Sequence, residues 1–106
     1  MISYNSKKYD LEERTYAFNK KVIKYVQQLP RWIENVEIGK QLMRSAASVG
    51  AFLIEANESL SKKDFVMRVK ISKKEAKKSH YWLKLSSPIR KYAPNKIELM
   101  CESEEL

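Results

Sequence analysis

Apolar residues recur at threes and fours along three long stretches of this chain, and that rhythm limits the fold more than any other feature. An α-helix turns once every ~3.6 residues, so such spacing lines one face of a helix with hydrophobic side chains. The first stretch, about residues 9–29, carries Leu11, Phe18, Val22, Tyr25, Val26 and Leu29, with Thr15 filling the gap in the stripe. Asp10, Glu12 and Glu13 are expected in its first turn, where carboxylates offset the positive end of the helix dipole, and Pro30 closes it. After a linker around Arg31-Trp32, the second stretch, about 36–57, presents Ile38, Leu42, Ala46, Val49, Leu53, Ala56 and Leu60.

The third stretch, about 62–86, opens on Ser61-Lys62-Lys63-Asp64. This reads as a capping box, with the Ser61 hydroxyl accepting from the Asp64 amide and the Asp64 carboxylate reaching back. Its stripe is Phe65, Val69, Ser72, Ala76, Ser79 and Leu83. Pro88 and Pro94 bracket an irregular link to a fourth segment, about 95–106, with Ile97, Met100 and Cys101 as its apolar positions. The segment is still in helical register at Leu106, so the fourth helix is expected to be short or truncated.

Two glycines and three prolines among 106 residues leave too few turn formers for a sandwich or barrel. The expectation is one all-α domain over residues 1–106, a four-helix bundle. The middle of the second helix, Ser45 to Ala51, is nearly all small residues, which lets a neighbour approach closely. Gly39 and Gly50 each cost ~1 kcal/mol against Ala inside a helix, so packing is the expected reason for both.

Most catalytic chemistries find no residues here. His80 is the single histidine, so neither a helical histidine pair nor the Glu-x-x-His motif of a di-iron bundle can be formed. It falls between the core stripe and the basic face of the third helix. The lone Cys101 has no partner histidine other than His80 and no partner for an intramolecular disulfide. Two glycines cannot write a phosphate-binding loop or a dinucleotide fingerprint. Glu55 and Glu58 stand one turn apart, but a helix-end glutamate beside one paired to a lysine accounts for them without catalysis. No catalytic residue, metal or cofactor is expected. The first residues hold no apolar signal-peptide core, and the longest apolar or glycine run, Val49 to Ile54, is too short to span a bilayer. The chain reads as cytoplasmic, with no membrane partner.

Charge is what points to a partner. Between Lys62 and Lys91 lie eleven basic residues against two acidic ones, a larger excess than the +8 of the whole chain. Lys63, Lys70, Lys77 and Lys84 are seven apart and flanked by Lys73 and Lys74, so a helix gathers them into one band about 31 Å long, opposite its core stripe. A band this dense repels itself, and a polyanion relieves the repulsion. Without interleaved aromatic residues it suits phosphates rather than stacked bases, so the expected partner is the backbone of RNA or DNA. The alternative is a protein-interaction or structural module whose lysines are merely solvated. Met67, Ile71, Trp82 and Leu85 flank the third helix's core stripe, and Tyr16 and Ile23 flank the first's; these six are expected at contacts between subunits of a homo-oligomer.

The run Ile38-Gly39-Lys40-Gln41-Leu42-Met43-Arg44-Ser45-Ala46-Ala47-Ser48-Val49-Gly50-Ala51, followed by Ile54-Glu55-Ala56, resembles the small four-helix-bundle proteins encoded in intervening sequences of bacterial 23S ribosomal RNA genes. Leu29-Pro30, Ser61-Lys62-Lys63-Asp64-Phe65, Ile71-Ser72, Glu75-Ala76 and Tyr81-Trp82-Leu83 extend the likeness from about Leu11 to Leu85. The resemblance implies an antiparallel up-down bundle that assembles as a ring of five. A distant relative is the accessory protein of diversity-generating retroelements, which binds nucleic acid and a reverse transcriptase, so both are implied here by analogy alone. Phe52 stands where that family usually has Asn, and Lys78 where it usually has Glu; the second change strengthens the basic face.

Overall fold

The structure, a computed structural model, describes residues 2–106, with side chains from Asp10 onward. Four helices follow in order, α1 (Ile2–Gln27), α2 (Ile33–Asn57), α3 (Lys62–Leu85) and α4 (Ala93–Glu105), with a single 3₁₀ turn at Arg90–Tyr92 before the last. No strand occurs among the described residues. Cross-helix partners fix the directions. Val26 faces Gly39 and Thr15 faces Gly50, Ser45 pairs with Ser79 and Val49 with Ser72, and His80 meets Ser103 while Lys84 meets Lys96. In each pair one number rises as the other falls, so neighbours run antiparallel. Arg14 and Lys21 reach Glu102 and Glu98, which closes the square between α1 and α4. This is the up-down bundle.

Its core is Phe18, Val22, Tyr25, Leu29, Leu42, Ala46, Leu83 and Leu99. The α2–α3 contact is the most extensive of the bundle, because small residues face each other across it. Ala46, Ala76, Ser72 and Ser79 are all buried there. The hydroxyls bond across or along the seam: Ser45 Oγ lies 2.8 Å from Ser79 Oγ, and Ser72 Oγ donates to the Val49 carbonyl at 2.8 Å. A buried hydroxyl with a partner costs little, whereas one without would cost about 1–3 kcal/mol. Of the two glycines only Gly39 has the packing reason expected of both. A Cβ there would stand 3.0 Å from Val26 Cγ1, whereas one on Gly50 would meet Thr15 Oγ1 at 3.5 Å, an ordinary contact that leaves room for a methyl group. In this seam Ala46→Leu is expected to cost about 1–3 kcal/mol through overpacking. Thermal melting checks it, and an unchanged midpoint would mean that Ala46 is not in the seam.

At one end of the bundle a polar knot ties the two links together. Asn35, only 2% exposed, donates through Nδ2 to the carbonyls of Pro30 (3.1 Å) and Ser87 (3.0 Å) and accepts the Ser87 amide at 3.0 Å. Nearby, Tyr25 and Ser86 hydroxyls lie 2.6 Å apart, and Ser86 Oγ donates to the Leu83 carbonyl. Burial pushes the Tyr25 phenol above its ordinary range, so it stays neutral and can donate to Ser86.

Several sequence expectations need correction. Helix α1 begins at Ile2, so its first turn holds no acid, and Asp10, Glu12 and Glu13 lie well inside the helix. Leu11 is exposed, and Glu12 instead accepts from Asn57 Nδ2 at 2.7 Å. Leu60 is fully exposed, because α2 ends at Asn57 and the chain must leave the helix before Ser61 caps α3. The capping box is half made: Ser61 Oγ accepts from the Asp64 amide at 3.1 Å, but Arg68 Nε takes the Asp64 carboxylate. In α4 the inward residues are Leu99 and Ser103, while Ile97 and Cys101 are exposed and only Met100 of the expected trio packs on the core.

Helix α4 is short, as expected. Its 13 residues span about 20 Å against about 36 Å for the 24 of α3. It therefore roofs only the half of the bundle holding the C-terminal parts of α1 and α3. At the other half Phe65 and Val69 stay partly exposed.

Candidate nucleic-acid interface

The buried Ser72, Ala76, Ser79 and Leu83 fix the rotation of α3, and the opposite face follows from helical geometry. Lys63, Lys70, Lys73, Lys74, Lys77 and Lys84 are all exposed on it. Among the described residues none of these six has a carboxylate within ion-pair distance. Other cations of the helix do. Lys78 Nζ donates to Glu75 at 3.2 Å, and Arg68 is held by Asp64 and Glu55, with the Asp64 hydrogen bond foremost in raising its guanidinium pKa. Glu55 thus pairs with an arginine rather than the lysine expected, and Glu58 is an exposed helix-end residue.

An open groove of about 520 Å³ runs along this face, with Met67 and Ile71 as its apolar part and Lys70, Lys73, Lys74 and Lys77 beside them. At the far end of the helix the chain supplies a further cation. Lys96, in the first turns of α4, donates to the carbonyls of Lys84 (3.1 Å) and Ser86 (2.9 Å), where the helix dipole is negative. His80 occupies the boundary it was expected to occupy. Its Nδ1 lies 3.1 Å from Ser103 Oγ and its Nε2 3.6 Å from Glu104. Among the described residues no three His, Cys, Asp or Glu side chains come together to hold a metal, and no helix is long and apolar enough to cross a membrane.

The expected subunit contacts divide. Tyr16 (67% exposed), Ile23, Met67 (54%) and Leu85 stand in solvent. Trp82 does not: it is half-buried, packs on the core, and takes Tyr81 edge-on with ring centroids 5.2 Å apart. Ile71 is half-buried as well.

The family model of the 23S rRNA-intervening sequence proteins matches residues 7–105. The chain belongs to that family. A crystal structure of a protein of unknown function from the S23 ribosomal protein family of Bacteroides thetaiotaomicron is similar to it, at 25% identity and a TM-score of 0.74. The match covers 90% of this chain and 89% of that one. No curated protein matches the chain.

Two features of this 23S rRNA-intervening sequence protein escaped the sequence reading. Val36, Met43 and Ile54 of α2 are exposed alongside Tyr16 and Ile23, since the Val26–Gly39 and Thr15–Gly50 contacts put Ile23 level with Met43. Their departure from the α2 core stripe was the available signal. Lys96 was the second; only the docking of α4 brings it to the end of α3.

Proposed function

We propose that this member of the family is a non-catalytic, self-associating bundle that binds the backbone of RNA or DNA through Lys63, Lys70, Lys73, Lys74, Lys77 and Lys84. The observation that carries the reading is the set of six exposed lysines on one helix face without a carboxylate in ion-pair reach. Ammonium groups so arranged gain by displacing the condensed counterions of a phosphate chain, and they read no sequence in doing so. Protein isolated at low salt should carry nucleic acid, with absorbance weighted to 260 nm that falls when salt is raised. A preparation free of nucleic acid that also leaves a labelled duplex unbound at low salt would favour the protein-interaction module instead.

Self-association rests on the exposed Tyr16, Ile23, Met67 and Leu85, with Ile71 and Trp82 contributing the parts of their side chains that remain bare. The family resemblance supports a homopentamer. Light scattering at micromolar concentration should return a mass above that of one chain, and a monomer there would remove this half of the proposal.

A further inference from the structure

Charge is divided between the last two helices. Helix α3 carries nine basic and two acidic residues, and α4 carries one basic, Lys96, and four acidic, Glu98, Glu102, Glu104 and Glu105. Two of those carboxylates have clear structural work, Glu98 with Lys21 at 2.8 Å and Glu102 with Arg14 at 3.1 Å, and both hold α4 onto α1. Of the other two, Glu104 lies 3.6 Å from His80 Nε2 on α3, and Glu105 is exposed. Glu104 and Glu105 sit in the last turn of α4, where they add to the negative end of the helix dipole instead of opposing it. They share the wall of an open cavity of about 560 Å³ with Lys73, Lys77 and His80. Their neighbours in the chain anchor this end of α4: Ser103 is buried, its Oγ donating to the Met100 carbonyl at 2.8 Å, and Leu106 packs on the core.

We infer that Glu104 and Glu105 are a built-in counter-charge to the middle of the lysine band, lowering its affinity for polyanions by standing beside the two lysines a phosphate would otherwise engage alone. This rests on the lysine band binding nucleic acid. Neither lysine is in ion-pair contact with them, so the effect is Coulombic repulsion of the incoming phosphate across water. It is strong only within a Debye length, about 10 Å at 0.1 M salt and about 3 Å at 1 M. An acidic edge beside the band also limits where a strand can lie, to the side of α3 away from α4.

The test is a titration of one labelled DNA duplex, long enough to span the band, with the natural chain, with E104Q/E105Q, and with E13Q/E37Q. The last variant makes the same change in net charge at two exposed positions on α1 and α2. At low salt E104Q/E105Q should bind about three- to tenfold tighter, with the gain fading as salt rises. E13Q/E37Q should stay within about twofold of the natural chain. No gain in E104Q/E105Q, or an equal gain in both variants, would overturn the inference while leaving the lysine band intact as a binding surface. Absence of binding by all three proteins would instead overturn the function on which the inference rests.

Discussion

Replacing Asn35 by Ala is expected to lower the stability of the bundle by about 3 kcal/mol, one of the larger losses a single side chain here can cause. The side chain satisfies three backbone groups from two different links, the Pro30 and Ser87 carbonyls and the Ser87 amide. Removing it leaves each short of a partner at a part-buried site, at up to about 1–3 kcal/mol per unsatisfied group, less whatever water and relaxation recover. For a domain of this size about 3 kcal/mol corresponds to a fall of roughly 15 °C in Tm. Chemical unfolding and thermal melting of the variant check it. A loss under about 1 kcal/mol would show that the links are held by the helices alone.

The second large effect concerns binding. Replacing Lys70, Lys73, Lys74 and Lys77 together by Gln takes four exposed charges from the centre of the band and touches none of the buried Ser72, Ala76, Ser79 or Leu83. The fold should survive, and Tm should hold or rise slightly as the lysines' mutual repulsion is relieved. Duplex affinity at low salt should fall by at least tenfold, and the log–log dependence on salt should become shallower by up to ~0.9 for each phosphate that is no longer neutralised. Preference among duplex sequences should change little, because phosphate contacts position a protein without reading bases. A variant that binds as tightly and with the same slope would make the band a solvated face.

How much of this was legible in the sequence depended on the length of the signal. Over α1, α2 and α3 the stripe repeats for about five or six turns, so Phe18, Val22, Leu42, Ala46, Ser79 and Leu83 could be assigned to the core. Helix α4 offers only 13 residues, and two sets fit the same spacing, Ile97 with Met100 and Cys101, or Leu99 with Ser103 and Leu106. Its docking decides, with Glu98 and Glu102 turned to the cations of α1, and that requires the partner helices to be in place. Leu60 misled because the stripe of α2 continues one step past the residue where the backbone leaves the helix. Asn35 was invisible for another reason. A polar residue near a helix start reads as surface, and its value lies in bonds to a segment 52 positions away.

The lysine band was legible because sevenfold spacing on one helix needs no tertiary knowledge. The carboxylates that oppose it were not. Glu104 and Glu105 come to line one open cavity with Lys73 and Lys77 only because α4 folds back antiparallel along α3, so the local sequence shows an acidic segment and a basic segment without their juxtaposition. Trp82 differs in degree: flanking the stripe by sequence, it packs on the core while remaining partly exposed.

The most direct test of the central claim is the affinity of the full chain for one labelled duplex measured from low to moderate salt. If the lysines of α3 hold the phosphate backbone, the logarithm of the binding constant should fall linearly with the logarithm of salt, with a slope of roughly −3.6 to −5.4 for engagement of four to six of them. Absence of binding at low salt, or an affinity that salt leaves unchanged, would contradict it.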